Sequence, residues 1–303
     1  MIEAILPAGT VAVDTFTDWP HAFLFPEEEE IIRPAVDKRR REFTSARWCA
    51  RQAMTRLGRA PAPVLPGPRG EPQWPAGLVG SITHCDGYRA AVLAESGVIT
   101  TVGIDAEPNE PLMDGVLPAV SLPEERDRLD RLLRDHPDVR WDRLLFSAKE
   151  SVYKAWFPVA GTWLDFEDAD ITFDPLAGTF EAQLAVAGPE LHGRRLTGFS
   201  GRWLAAQGLV VTAIAVVARH RPRGARAVRR RAQVPPDPHD GPADRPVQSK
   251  EGRARRARPS FALPAQTPAE YSGLRLTGRS LRRVTFSLRY VRVRCCSTVL
   301  IVM

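Results

Sequence analysis

Asp105 and Glu107 flank a single alanine in "VGIDAE" (Val102–Glu107), at the end of an apolar run. In a strand alternate side chains share a face, so both acids point the same way. Neighbouring carboxylates repel unless positive charge lies between them, and a divalent cation is the usual candidate. A second stretch, "FSAKESVYKAW" (Phe146–Trp156), sets Lys149 beside Glu150 and puts Glu150 and Lys154 four apart on one helical face. By itself that spacing describes a solvated Glu–Lys pair. A third, "GSITHC" (Gly80–Cys85), leads into a strand and carries His84, which alone reads as a turn or core histidine. Together the three carboxylates, two lysines and histidine form a kit for phosphoryl chemistry. Magnesium prefers a few carboxylates plus phosphate oxygens and waters. Phosphoryl transfer mostly needs positioning and charge neutralisation, which metal, Lys and His supply. The carboxylates alone equally permit a metal-dependent phosphatase or nucleotide hydrolase. No glycine-rich P-loop and no Rossmann fingerprint is present, which argues against those nucleotide-binding classes.

The elements that must position these groups follow from periodicity. Ile31 to Leu57 reads as helical, with Gly58 as a stop. The Pro- and Gly-rich stretch Pro61 to Gly80 is expected to be irregular. "YRAAVLAE" and "VITTVGID" read as strands joined by Ser96-Gly97 in a hairpin. Helices are expected from about Pro123 to His136 and from about Trp141 to Phe157, the latter closed by Pro158. "ADITFDPLAGTFEAQLAV" and "RLTGFSGRWLAAQGLVVTAIAVVA" read as two hairpins, turning near Pro175–Gly178 and at Gln207-Gly208. Short connections between strands favour an antiparallel α+β architecture over a doubly wound sheet. Phe43–Met54 and Phe146–Trp156 echo one another, each with Phe, small residues and then bases, which fits two related halves.

Charge divides the chain. From Arg219 onward there are 19 Arg, one Lys and five acids, a formal +15, which leaves Met1–Ala218 with 22 bases against 31 acids, or −9. The segment from Arg219 is rich in Arg, Pro, Ala and Gly and holds none of the seven Trp residues. Such a composition reads as a disordered extension. A nucleic-acid-binding arm is the alternative that its Arg clusters permit. Four cysteines show no zinc spacing and no disulfide framework. No secretory leader and no apolar run long enough to span a bilayer is seen, so the expected location is the cytoplasm.

At these motifs the sequence resembles a 4′-phosphopantetheinyl transferase of the Sfp type, close to the enterobactin synthase component D group. "VGIDAE", "FSAKESVYKAW" and "GSITHC" carry the resemblance, and "GEPQWPAGLVGSITHCDGYRAAV", "RWCARQAMTRLG" and "LFPEEEE" extend it over roughly residues 5–218. It implies an α+β fold of two similar halves in pseudo-twofold arrangement, divided here as 1–105 and 106–218, with 219–303 as a disordered basic tail. It implies transfer of phosphopantetheine from coenzyme A to a serine hydroxyl of an apo acyl, peptidyl or aryl carrier protein, releasing 3′,5′-ADP. Asp105, Glu107 and Glu150 would hold Mg²⁺, or Mn²⁺ in its place, against the pyrophosphate. Glu150 would also serve as base, directly or through water, and Lys154 would stabilise the leaving group. His84 matches a histidine that contacts coenzyme A phosphate, and Thr83 beside it a hydroxyl. Arg47 and Arg51 match positions that grip the adenosine 3′-phosphate, and Lys149 a second basic residue of the helix motif. Arg69 stands where relatives often carry a lysine near the cofactor, keeping the charge but not the geometry. The expected partners are carrier proteins and coenzyme A, without membrane or nucleic acid, and the expected state is a monomer.

Overall fold

The computed structural model describes residues 1–218, together with the backbone of 291–294 and 299–302. Two helices, α1 (Pro26–Ile32) and α2 (Asp37–Arg56), follow the first strand of the chain. They replace the single helix expected over Ile31–Leu57, because Pro34 has no N–H to continue the ladder. Strands β1 (Thr10–Thr15), β2 (Leu65–Pro66), β3 (Pro72–Gln73), β4 (Leu78–Cys85), β5 (Tyr88–Glu95) and β6 (Ile99–Pro108) make up the rest of this region. Within the stretch expected to be irregular, β2 and β3 pair as a minimal hairpin and β4 starts at Leu78. Then come α3 (Val116–Val120), α4 (Pro123–Asp135) and α5 (Trp141–Ala160), followed by β7 (Ala169–Asp174), β8 (Thr179–Leu184), β9 (Glu190–Leu191), β10 (Arg194–Arg195), β11 (Gly198–Ala206) and β12 (Leu209–Val217). Pro158 lies inside the last turn of α5 rather than closing it, and Gly161 caps the helix at φ 66°.

Two antiparallel sheets result, ordered β1-β5-β4 and β6-β12-β11-β8-β7. α2 packs Cys49, Ala50, Ala53 and Met54 on the first through Val13, Ala91 and Leu93. α5 packs Leu144, Ala148, Val152 and Ala155 against the second through Ile171, Phe180, Val210 and Ile214. The two hairpins expected at β7–β8 and β11–β12 form as read. The hairpin expected between β5 and β6 does not. Both edges of β5 are already taken, by β1 and β4, so the chain passes at Ser96-Gly97 into the other sheet and β6 pairs with β12. A division at residue 105 therefore cuts through β6, which starts at Ile99.

Edge strands β4 and β6 meet through side chains instead of a backbone ladder. Ile104 N donates to Ser81 Oγ and Ala106 N to Thr83 Oγ1, each at 3.1 Å. Buried edge amides need such partners, and the alternation of "GSITHC" supplies two hydroxyls on one face.

Each half also carries the same clamp. Phe25-Pro26-Glu27-Glu28 opens α1 and Leu122-Pro123-Glu124-Glu125 opens α4, with the second glutamate of each accepting the backbone N–H three residues before it. Glu28 further accepts Val64 N and Arg51 Nη1, both at 2.9 Å. Glu125 accepts Ile171 N at 2.8 Å and Lys149 Nζ at 2.7 Å. Both carboxylates are buried, and each ties a short Pro-led helix to the long helix and to a distant backbone amide. The internal likeness thus runs through Arg51 and Lys149. Lys149→Met would leave Glu125 charged and buried without its cation, so it should cost about 3–5 kcal/mol of stability. Denaturant unfolding measures it, and an unchanged midpoint would refute a structural role.

The expected disorder of 219–303 concerns residues outside those described, apart from β13 (Val291–Arg294) and β14 (Val299–Val302), whose backbones pair antiparallel. No helix among the described residues is long and apolar enough to cross a membrane.

Candidate active site

Gly103, Asp105 and Glu107 share the face of β6 that meets α5. Gly103 permits the approach: a Cβ there would stand 2.0 Å from Ser151 O and 2.7 Å from Ala155 N. Helix and strand are thereby close enough for Lys154 Nζ to donate to Asp105 Oδ1 at 2.7 Å and to Ile104 O at 3.2 Å. Ser147 and Ser151, on the same helix, bond Thr212 of β12 and fix the register of α5. Glu107 Oε2 accepts from Arg143 Nη1 at 3.2 Å. Glu150, one turn before Lys154, is 1% exposed, and burial pushes its carboxyl up to about 8. Asp105 and Glu107 push the same way, while Lys154 opposes them.

The donor set is entirely oxygen, and two of its atoms are orphans. Asp105 Oδ2 and Glu150 Oε2 are buried without a hydrogen-bond partner among the described residues. Such atoms are costly unless a cation or donor meets them, and a hard divalent ion fits that chemistry. Among the described residues no three side chains already stand as a gathered ligand set. Lys154 and Arg143 provide the positive charge instead.

Beside this cluster opens a cleft of about 1030 Å³, lined from α1, α2, the β2–β3 hairpin, β4 and α5. Its cations are Arg39, Arg47, Arg69 and Lys154, with His84 among them. Arg47 donates Nε to Val64 O at 2.9 Å and lies over the Phe43 ring. Burial lowers its pKa to about 10, which leaves it charged at neutral pH. Arg69 rides the β2–β3 turn at the cleft, next to Gly70 at φ 87°. His84 is held well below the usual histidine range by burial, then by Arg39, Lys154, Arg89 and Arg47.

The structure thus brings together Asp105, Glu107, Glu150, Lys154, His84, Arg47 and Arg69. It places three expected cofactor residues elsewhere. Arg51 is 2% exposed, bonds Glu28 and the Phe23 carbonyl, and does not line the cleft. Lys149 turns to Glu125 and Phe166 O on the far side of α5. Thr83 donates its hydroxyl to Asp105 Oδ1 at 3.2 Å, so it steadies a carboxylate rather than facing the cleft. Adjacent helical residues point about 100° apart, so an error of one position in choosing a face swaps a ligand for a core contact. Sequence reading missed Arg39. Its spacing to Phe43, Ala46 and Arg47, one stripe of α2 lining the cleft, was the available signal.

A carboxylate cluster joined by Lys154 to a cationic cleft, in an α+β protein, offers the charges that phosphoryl transfer needs. Family comparison makes the class specific: residues 27–94 match the 4′-phosphopantetheinyl transferase N-terminal domain and residues 101–197 the 4′-phosphopantetheinyl transferase superfamily. The chain belongs to the 4′-phosphopantetheinyl transferase superfamily. It is 57% identical over 221 residues to 4′-phosphopantetheinyl transferase Svp of Streptomyces mobaraensis, covering 72% of this chain and 90% of that protein. It is 46% identical over 222 residues to PptT of Mycobacterium tuberculosis (71% and 97% covered). To Npt of Nocardia iowensis it is 47% identical over 223 residues (71% and 99%).

Proposed function

We propose that this transferase moves 4′-phosphopantetheine from coenzyme A to a serine hydroxyl of apo acyl, peptidyl or aryl carrier proteins. The observation that carries the reading is the double position of Lys154, which lines the cationic cleft and bonds Asp105 of the carboxylate cluster. Arg39, Arg47 and Arg69 would hold the phosphates of coenzyme A, and His84 would contact one of them. Asp105, Glu107 and Glu150 would hold Mg²⁺, which when bound supplies positive charge against the pyrophosphate. Glu150, directly or through a water, takes the serine proton as the serine oxygen bonds to phosphorus. The bond from that phosphorus to the bridging oxygen breaks, and 3′,5′-ADP leaves with its new charge beside Lys154. We read the enzyme as a monomer. Its proposed place is the cytoplasm, where buried thiols such as Cys49 and Cys85 stay reduced.

Incubation with coenzyme A, Mg²⁺ and an apo carrier protein, followed by intact mass, tests the reading. The carrier should gain one phosphopantetheine. Free phosphopantetheine released without any carrier would instead indicate a hydrolase, the reading in which water replaces the serine.

A further inference from the structure

Glu42 faces the cleft histidine without a settled partner. The residue is 6% exposed, and its Oε1 has no hydrogen-bond partner among the described residues. Its Oε2 lies 3.7 Å from His84 Nε2, too far for a hydrogen bond. The same ring nitrogen meets Arg39 Nη1 at 2.5 Å. A guanidinium has donors only, so Nε2 is the lone-pair side of the ring and the proton sits on Nδ1. Glu42, an acceptor, is therefore left facing an acceptor. Among the described residues, the charged groups named around His84 are Arg39, Glu42 and Arg47 from α2, Arg89 from β5 and Lys154 from α5, four cations against one anion.

We propose that Glu42 is a positioning residue that lets His84 bind phosphate as an imidazolium. It rests on the reading of the cleft as the coenzyme A site. When phosphate enters, the donors of Arg39, which also lines the cleft, turn to phosphate oxygens and leave Nε2 open. Nε2 then takes one proton from solvent and donates it to Glu42 Oε2, while Nδ1–H remains for the phosphate. Burial first, and the four cations after it, hold the ring neutral; the bound anion offsets the cations, and Glu42 satisfies the proton the ring gains. Two acceptors that now oppose each other become a donor–acceptor pair.

The sign of one substitution separates this from simple electrostatics. Removing a negative charge beside an anion site should tighten coenzyme A binding, whereas loss of the imidazolium's partner should weaken it. Calorimetry of full-length protein with coenzyme A, without Mg²⁺, in buffers of different protonation heat reads affinity and proton uptake together. At about pH 7.5 a phosphate monoester, of second pKa about 6, is already largely ionised and contributes little. The wild type should take up a substantial fraction of a proton. Glu42→Gln should lose that uptake and bind about tenfold or more weakly. His84→Asn, which cannot titrate, should lose the uptake as well, and covers the case in which Glu42→Gln does not fold. Tighter or unchanged binding by Glu42→Gln, or uptake that survives in either variant, would overturn the inference alone. Failure of the wild type to bind coenzyme A would overturn the reading of the cleft, and this inference with it.

Discussion

Glu150→Gln should lose transfer rate by about 10²–10⁴-fold, and raised Mg²⁺ should restore only part of it. Glutamine keeps the size and one carbonyl oxygen, so helix packing survives, but it removes both the charge and the basicity. The site depends heavily on that charge. Glu150 is buried beside Asp105 and Glu107, and its Oε2 has no partner among the described residues. Restored metal occupancy would return the electrostatic share of the effect without returning a base. Single-turnover transfer at saturating carrier protein, titrated with Mg²⁺, measures both parts. Full recovery at high Mg²⁺ would make Glu150 a ligand only.

Gly103→Ala should damage stability and chemistry together. The added methyl would sit 2.0 Å from Ser151 O, 2.7 Å from Ala155 N and 3.0 Å from Ala155 Cβ, and the first two belong to helix backbone. No side-chain rotation relieves such a clash, so α5 must move off β6. Overpacking of this kind costs about 1–3 kcal/mol and sometimes more. The helix that moves carries Glu150 and Lys154, while Asp105 stays on the strand. Misplacement by about 1 Å can cost about 10²-fold in rate, so molecules that still fold should be nearly inactive. Gly97→Ala is the matched control, since its methyl would meet nothing within 4 Å. Unfolding midpoints and single-turnover rates, compared between the two variants, decide the matter. A stable, active Gly103→Ala protein would mean that the close approach of α5 to β6 does not position the site.

Much of the carboxylate site was legible because it depends on local period. A strand period of two put Asp105 and Glu107 on one face, and i, i+4 spacing put Glu150 and Lys154 on another. Both pairs meet in the structure as their spacing requires. The cofactor cleft was only partly legible. Arg47, Arg51 and Lys149 are all bases on helices, and their spacing carries no sign of which has a buried carboxylate waiting for it. Glu28 lies 23 residues from Arg51, and Glu125 lies 24 from Lys149.

By itself the sequence determined the acidic body and basic C-terminal segment, the helices α4 and α5, most of α2, and the two hairpins closed at Gly178 and Gln207-Gly208. Each of these rests on composition or on neighbours within a few residues. Only the tertiary structure decided that β5 and β6 part into different sheets, because pairing depends on which edges are already filled. It also decided that the Ser81 and Thr83 hydroxyls serve β6 amides, and that Arg51 and Lys149 are clamps. Hydrogen-bond partners and burial are set by chain segments distant in sequence. One local pattern of bases and hydroxyls is therefore compatible with ligand, seam or core until the fold assigns it.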